Sequence, residues 1–240
     1  NGGQITVESA SGNIYIVGYI SSSSKSSAEQ GDTGAGGDIT LTSNAGDITL
    51  GGDVDSSSLS FTVFESPTDA SAGNSGDGGN ITLSTKSGNI RAGGNLIASS
   101  TSFVLNAFSG NAGNGGTITL SSTTGDILTE GFFIDSTSGS SSIASVTAAS
   151  GDSGSGGDLI FSSTAGNITI NSTVQSASQS DARSTVFASA GSSGDGGNIS
   201  ITSDSGTITV NPPLGFDEPD FFGILSRSES SAALIASTDS

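Results

Sequence analysis

Short apolar triplets recur along this chain, and their alternation is that of strands. ITV, ITL and ITI place apolar side chains at positions one and three with a polar one between. In an extended chain successive side chains point to opposite faces. Ile39 and Leu41 would therefore share one face, and Thr40 and Thr42 the other. Each triplet of one set follows a Gly-Gly pair, in NGGQITV, GAGGDITL, GDGGNITL, GNGGTITL, GSGGDLIF and GDGGNISI. The second glycines are Gly3, Gly37, Gly79, Gly116, Gly157 and Gly197, spaced by 34, 42, 37, 41 and 40 residues. A Gly-x-Ile motif follows nine residues later in every repeat, at Gly12, Gly46, Gly88, Gly125, Gly166 and Gly206. A third apolar position is expected six residues beyond each of those isoleucines, at Ile20, Val54, Leu96, Phe133, Val174 and Leu214.

A single strand of this length cannot bury enough surface, whereas identical strands stacked in parallel can, each pairing with the rungs above and below. Nine residues from glycine to glycine hold one short strand and one tight corner. The pattern predicts an all-β, single-domain parallel β-helix (a β-solenoid) of about six rungs, with ~40-residue repeats and one variable loop per rung. The domain is the whole of 1–240. Its repeats are approximately 1–33, 34–75, 76–112, 113–153, 154–193 and 194–240, with 211–223 (NPPLGFDEPDFFG) an atypical insertion. Two core columns are expected. One is Ile5, Ile39, Ile81, Ile118, Leu159 and Ile199; the other is Ile14, Ile48, Ile90, Ile127, Ile168 and Ile208. Phe61, Phe103 and Phe187 would fill the third corner. The glycines mark corners where φ is positive or backbones approach closely. Nine of the twelve residues that follow them are Asn or Asp, which stabilise turns and can stack in ladders.

Composition narrows the function classes. Hydrophobic residues make up 32% and charged residues 12%, and the net charge is −18. A packed axis only three strands wide needs few apolar side chains, so a low apolar fraction is compatible with this fold. Cys and His are absent, which excludes disulfides, thiolate metal sites and Cys or His catalysis. Five basic residues against 23 acidic ones argue against nucleic acid as a partner. No stretch approaches the ~18 apolar residues of a membrane span.

The strings GAGGDITLTSNAGDITLGGDVDSSS and GNGGTITLSSTTGDILTEG resemble the repeats of filamentous-haemagglutinin-type, two-partner-secreted bacterial surface proteins. The resemblance covers nearly the whole chain and belongs to the repeat type. It implies an exported β-helical stalk at the cell surface or outside the cell, acting in adhesion, aggregation or a surface layer. The family's N-terminal secretion domain is not present in this sequence. The sequence starts within a repeat, at Asn1-Gly2-Gly3, and finishes with SSAALIASTDS, which resembles a segment that precedes a Gly-Gly corner. The expected partner is therefore self, either a head-to-tail copy or the continuation of a longer chain, with a cell surface or matrix as a further one.

Candidate chemistry is sparse. Lys25, Lys86, Arg91, Arg183 and Arg227 are scattered, and no carboxylate constellation of a polysaccharide-acting β-helix enzyme is evident, so no catalytic residue is assigned. Asp53 and Asp55 are read as a solvated rung edge. No cofactor is expected. Asp217, Glu218 and Asp220 are calcium candidates because they lie within four residues and could share oxygens with a hard cation. Phe216, Phe221 and Phe222 in the same insertion are candidates for a lateral contact, against a reading in which Phe221 and Phe222 re-enter the core. The outward Thr-rich ladder of the first strand offers an ice-binding alternative, which Glu8 and Ile160 interrupt. Ring stacking on sugars is poorly supported, with no Trp and only Tyr15 and Tyr19. An exported structural fibre is the expected function, and an adhesin acting through its loops is the alternative.

Overall fold

The computed structural model describes residues 1–27, 31–65, 72–211 and 223–235. Among them there is no helix. The chain is a parallel β-solenoid whose turns present three faces. The first face is a six-stranded sheet of Ile5–Ser9, Ile39–Ser43, Ile81–Thr85, Ile118–Ser122, Leu159–Ser163 and Ile199–Ser203. These strands define rungs 1 to 6. The second face is a six-stranded sheet of Ile14–Ile16, Ile48–Leu50, Ile90–Ala92, Ile127–Thr129, Ile168–Ile170 and Ile208–Val210. On the third face each of rungs 1 to 4 supplies a short strand and then a longer one, such as Leu96–Ile97 and Ser100–Leu105. In rung 5 the two merge into Thr173–Ser184, and rung 6 adds Ile224–Leu234. Rungs 2 to 5 are paired on both sides, and rungs 1 and 6 are terminal.

Register follows the glycine motifs. Ile5, Ile39, Ile81, Ile118, Leu159 and Ile199 form one column. Ile14, Ile48, Ile90, Ile127, Ile168 and Ile208 form the next. The inner members are fully buried, with Leu41, Leu83, Leu120 and Phe161 beside them. A slip of one residue would turn every one of these side chains outward, so the apolar alternation fixes the pairing.

The third apolar position departs from its expected offset in two rungs. In rung 4 Leu96 pairs with Ile134, and Phe133 is 48% exposed. The segment Glu130-Gly131-Phe132-Phe133 holds one residue more than Gly93-Gly94-Asn95, so a fixed count lands one residue short. In rung 6 Val174 pairs with Ile224, ten residues beyond Leu214. The insertion displaces the register, and Leu214 lies outside the described residues.

The expected aromatic filling of the third corner is also overturned. Phe61 is 39% exposed and Phe187 is 56% exposed. Phe61 and Phe103 lie on the outer surface, stacked with ring centroids 5.5 Å apart and planes 4° from parallel. The inner surface there is serine. Ser58, Ser100, Ser138 and Ser178 form a fully buried column, with Ser60, Ser102, Ser140 and Ser180 beside it. Most of their hydroxyls face the glycine-rich return loop and donate to its carbonyls, while Ser178 bonds the Ser153 hydroxyl at 2.8 Å and Ser60 Oγ has no partner. Ser58 reaches Gly34 O at 3.0 Å, Ser100 reaches Gly76 O at 2.8 Å and Ser138 reaches Gly113 O at 2.6 Å. Ser140 reaches Gly110 O at 2.9 Å and Ser180 reaches Gly151 O at 3.0 Å. Buried polar groups are tolerated when they are paired. The third lobe is therefore lined largely by hydrogen-bonded serines, with two small apolar clusters, one of Phe64, Ala72, Val104 and Ala107 and one of Ala144, Ala148 and Ala182, and it accounts for much of the Ser and Gly content.

Candidate functional site

Three features carry chemistry: the corner ladders, the two terminal rungs, and the outer surface of the third face. The corner glycines permit close approach. None of the repeat-corner glycines has a positive φ; among the described glycines only Gly223 does. A Cβ at Gly46, Gly88, Gly125, Gly166 or Gly206 would lie 2.0–2.4 Å from the carbonyl oxygen of the corner glycine one rung below. Gly37, Gly79, Gly116, Gly157 and Gly197 face the backbone beneath them in the same way. In rung 1 the environment differs. A Cβ on Gly3 would meet nothing within 4 Å, and one on Gly12 would meet only Ser9 Oγ at 3.6 Å.

A hydroxyl three residues before each second-corner glycine ties the rungs together. Ser43, Thr85, Ser122, Ser163 and Ser203 each accept the N–H of the glycine in their own rung, at 2.8–3.0 Å. Each then donates to the corner glycine carbonyl one rung below, at 2.9–3.1 Å. In rung 1 Ser9 turns its hydroxyl to Gly12 O of its own rung, at 2.7 Å.

The Asn and Asp residues after the corners bond between rungs. Asn13 Oδ1 accepts the Asp47 N–H at 2.9 Å, and Asp47 Oδ1 accepts that of Asn89 at 2.7 Å. The series continues through Asp126 and Asn167 to Thr207. Parallel ladders run from Asp38 through Asn80 to Thr117, from Asp158 to Asn198, and from Asp32 through Asn74 and Asn111 to Asp152. All run in one sense, with the acceptor in the lower rung and the donor above it. Asn and Asp alternate strictly in the second-corner column, so no carboxylate sits directly over another. We expect Asn89→Asp to break that rule by setting three carboxylates at successive rungs. Two like-charge pairs about 5 Å apart cost on the order of 1 kcal/mol in water. The melting temperature at pH 7 and low salt should fall by a few degrees. It should recover below about pH 4 or in ~1 M salt, where the charges are neutralised or screened. A fall that ignores both pH and salt would assign the alternation to packing.

The terminal rungs leave core positions uncovered. Ile168 is fully buried, whereas Ile208, its register partner in rung 6, is 43% exposed. Val210, Ile224, Leu225 and Leu234 are exposed beside it. At the other end Ile5, Val7 and Ile16 are only partly buried.

On the third outer face Asp55 and Asp135 share one column, with Ile97 between them. Asp55 is buried, not the solvated edge expected. Its Oδ1 accepts the Ser57 N–H at 2.9 Å and the Ser57 hydroxyl at 2.5 Å. Its Oδ2 accepts the Tyr19 hydroxyl at 2.8 Å and lies 3.3 Å from Lys25 Nζ. Burial pushes this carboxyl up, but Ser57, Tyr19 and Lys25 together hold it below the usual range. Asp135 has no cation of that kind. Burial pushes its carboxyl up to about 6, opposed only by Thr137 and Gln175. Asp53, the other half of the expected pair, lies at a corner and accepts the Asn95 N–H at 2.8 Å.

Asp217, Glu218, Asp220, Phe216, Phe221 and Phe222 lie outside the described residues. Among the described residues no three His, Cys, Asp or Glu side chains gather as a metal site, and no helix is long and apolar enough to cross a membrane. The fold defines the chain as a parallel β-solenoid repeat protein. No family model, curated protein or solved structure matches it.

Proposed function

We propose that this β-solenoid forms an exported, cell-surface or extracellular fibre or stalk by head-to-tail stacking of its terminal rungs. The observation that carries the reading is the pair of terminal rungs. Among the described residues each presents a strand on every face that pairs on one side only, and core side chains in register with buried columns. Such edges pair with a further strand unless something covers them. The ladders make the ends complementary and set the direction. Every acceptor side chain points to the rung above, so in the first-corner column rung 6 offers the Asn198 Oδ1 acceptor and rung 1 the backbone N–H of Gln4. Gly3 and Gly12 belong to the same reading. They lack any neighbour that would require a missing side chain, yet they occupy the column where every other rung needs one. The covering rung comes from a second copy, whose opposite terminal rung supplies the contacts of an inner rung. A heterologous contact of this kind does not close and yields a filament. The similarity to haemagglutinin-type surface repeats supports export.

The test is electron microscopy and sedimentation of the purified chain and of Gly12→Ala. The parent should form filaments with an axial repeat of about 29 Å per six-rung copy. Gly12→Ala should keep the monomer's far-ultraviolet spectrum and melting temperature but lose the filaments, because its Cβ would strike the rung that lands there. A parent chain that stays monomeric at high concentration, with the amides of Ile5–Ser9 and Ile224–Leu234 protected from exchange, would overturn the proposal.

A further inference from the structure

The outer surface of the third face carries a patch of apolar side chains over rungs 2 to 4. Leu59, Phe61 and Val63 alternate outward in rung 2. Register sets Phe103 and Leu105 above the last two, and Ile143 above Leu105. Val63 is 49% exposed, and the Phe61–Phe103 stack forms a ridge along the solenoid axis. The first face treats its outward positions differently. There Thr40, Thr42, Thr82 and Ser84 occupy them, and water satisfies them without a partner. A contiguous apolar patch on an otherwise Ser- and Thr-rich solenoid marks a surface that something covers.

Charge decides what can approach it. The chain carries −18, so most of its surface repels a second copy. The longer strands of the third face hold three of the five basic residues, Lys25, Arg183 and Arg227, and only two of the 23 acidic ones, Asp181 and Glu229. Each is in an ion pair. Arg183 Nε lies 2.8 Å from Asp181 Oδ2, Arg227 Nη1 lies 3.3 Å from Glu229 Oε2, and Lys25 Nζ lies 3.3 Å from Asp55 Oδ2. Charges further away than the ~8 Å screening length at physiological salt matter little, so the local balance governs contact. The apolar patch therefore lies where another copy meets least repulsion.

We propose that this face is a lateral contact between two copies of the chain, related by a two-fold axis parallel to the solenoid axis. Such an axis keeps rung opposite rung and reverses the strand direction. Centred on the column of Phe61, Phe103 and Ser141, it sets each ring against its own counterpart. It also sets Leu59 against the facing Val63, Thr101 against Leu105, and Gly139 against Ile143. At rung 4 the small residue meets the large one. A Cβ built on Gly139 would meet nothing within 4 Å, and a cavity of about 240 Å³ opens over it, which leaves room for the facing Ile143. At rung 5 the axis sets Arg183 against Gln179, and the two Asp181 carboxylates, each only 6% exposed, stay neutralised by their own Arg183. The other two-fold axis in the plane of the face runs along the strands. It would set Phe61 against Asp181 and Val63 against Arg183, and would bury an ion pair under apolar side chains at a desolvation cost. The pairing itself does not require the ends to stack. A fibre two solenoids wide, with the patch recurring about every 29 Å, rests on end stacking as well.

The experiment is sedimentation equilibrium of Gly12→Ala, whose blocked end isolates the lateral contact. It should form a dimer of the 23.2 kDa chain. The dissociation constant should be of order 10–100 μM. Raising the salt from ~0.02 to ~0.5 M should tighten it severalfold by screening the net charge. Adding Phe61→Thr and Phe103→Thr keeps strand-forming residues at these outward positions. That variant should lose at least about tenfold in affinity, with the melting temperature of the dilute chain unchanged. The chain has no Cys, so Ser141→Cys supplies a single thiol beside the axis. A short bismaleimide should join two copies there, and should not do so through Thr82→Cys on the first face. A Gly12→Ala chain that stays monomeric at ~1 mM overturns the proposal. So does a dimer that survives loss of both rings, or one that cross-links equally through Thr82→Cys. Ring-dependent binding to neutral phosphatidylcholine vesicles, without dimers, would make the face a membrane contact and overturn it as well. Failure of end stacking reads differently: the parent then stops at the dimer, and the lateral contact stands.

Discussion

Replacing Gly88 by alanine should unfold the stack locally, while the same change at Gly12 should be silent in the isolated chain. The added carbon at Gly88 would sit 2.2 Å from Gly46 O and 2.3 Å from Gly46 C. Both are backbone atoms of a rung pinned on its other side by the next one, so neither can give way alone. The same glycine N–H is held by Thr85 at 3.0 Å, and Thr85 in turn holds Gly46 O at 3.0 Å. Moving the corner therefore breaks two hydrogen bonds along with the contact. Overpacking in a yielding core costs about 1–3 kcal/mol. A backbone clash with two lost bonds should cost about 3 kcal/mol or more. For a chain of this size that is a fall of roughly 6–12 °C in melting temperature. At Gly12 alanine meets only Ser9 Oγ at 3.6 Å, an ordinary contact. Because alanine also narrows the unfolded ensemble, its net effect there should be zero or slightly stabilising. Thermal melts of the two variants, under conditions that keep the chain monomeric, check this. Equal effects at both positions would show that the corners need glycine for conformation and not for approach.

The contrast between those two glycines marks what the sequence could and could not disclose. The Gly-Gly and Gly-x-Ile motifs keep a constant offset because each rung repeats one local geometry on two faces, so the first two sheets and their core columns were readable residue by residue. The third face was not, because its inner surface is largely serine, with apolar side chains only in two small clusters. A strand such as Ser138–Ala144 has almost no apolar alternation, and its faces are told apart only by which serines meet a glycine carbonyl. A signal was present in the S-x-S-x-S spacing opposite a glycine-rich loop, but apolar periodicity is blind to it. The aromatic residues misled for the same reason. Phe61 and Phe103 stack on the outer surface, whereas the lobe beneath them is lined largely by serine hydroxyls and the buried aromatic of this face is Phe64. The hydroxyl three residues before each second-corner glycine was in view at Ser9, Ser43, Thr85, Ser122, Ser163 and Ser203, and only the stacked backbone reveals that it bridges two rungs.

Asp55 and Asp135 should respond in opposite senses to amidation and to pH, though they head similar segments, Asp-Ser-Ser and Asp-Ser-Thr, in one column. Asp135 holds its proton more tightly folded, with a carboxyl titrating at about 6, than unfolded, where an Asp titrates near 4. Below about pH 4 both states are protonated and no penalty exists. As pH rises from 4 to 6 the unfolded chain releases the proton first, so the folded state loses ground, and above 6 the loss is constant. Two pKa units correspond to about 2–3 kcal/mol, and partial access to solvent lowers this to on the order of 2 kcal/mol. Asp135→Asn should therefore stabilise the protein at pH 7 by roughly that amount and have little effect at pH 4. Asp55 has the reverse linkage. Its carboxyl is held down by Ser57, Tyr19 and Lys25, so its contribution is present above the unfolded value near 4 and disappears as pH falls through the lower folded value. Asp55→Asn should destabilise at pH 7 by about 1–3 kcal/mol, the cost of weakening buried hydrogen bonds to a charged acceptor, and should matter least in acid. Melting temperatures of the parent and both variants between pH 3 and 8 check the pair. If Asp135→Asn destabilises at pH 7, its carboxylate is stabilised by Thr137 and Gln175 more than burial costs it, and the two positions are equivalent after all. If the curves diverge as stated, the lone cation Lys25 and the Tyr19 hydroxyl separate two otherwise similar rungs, because both reach Asp55 and neither extends two rungs further to Asp135.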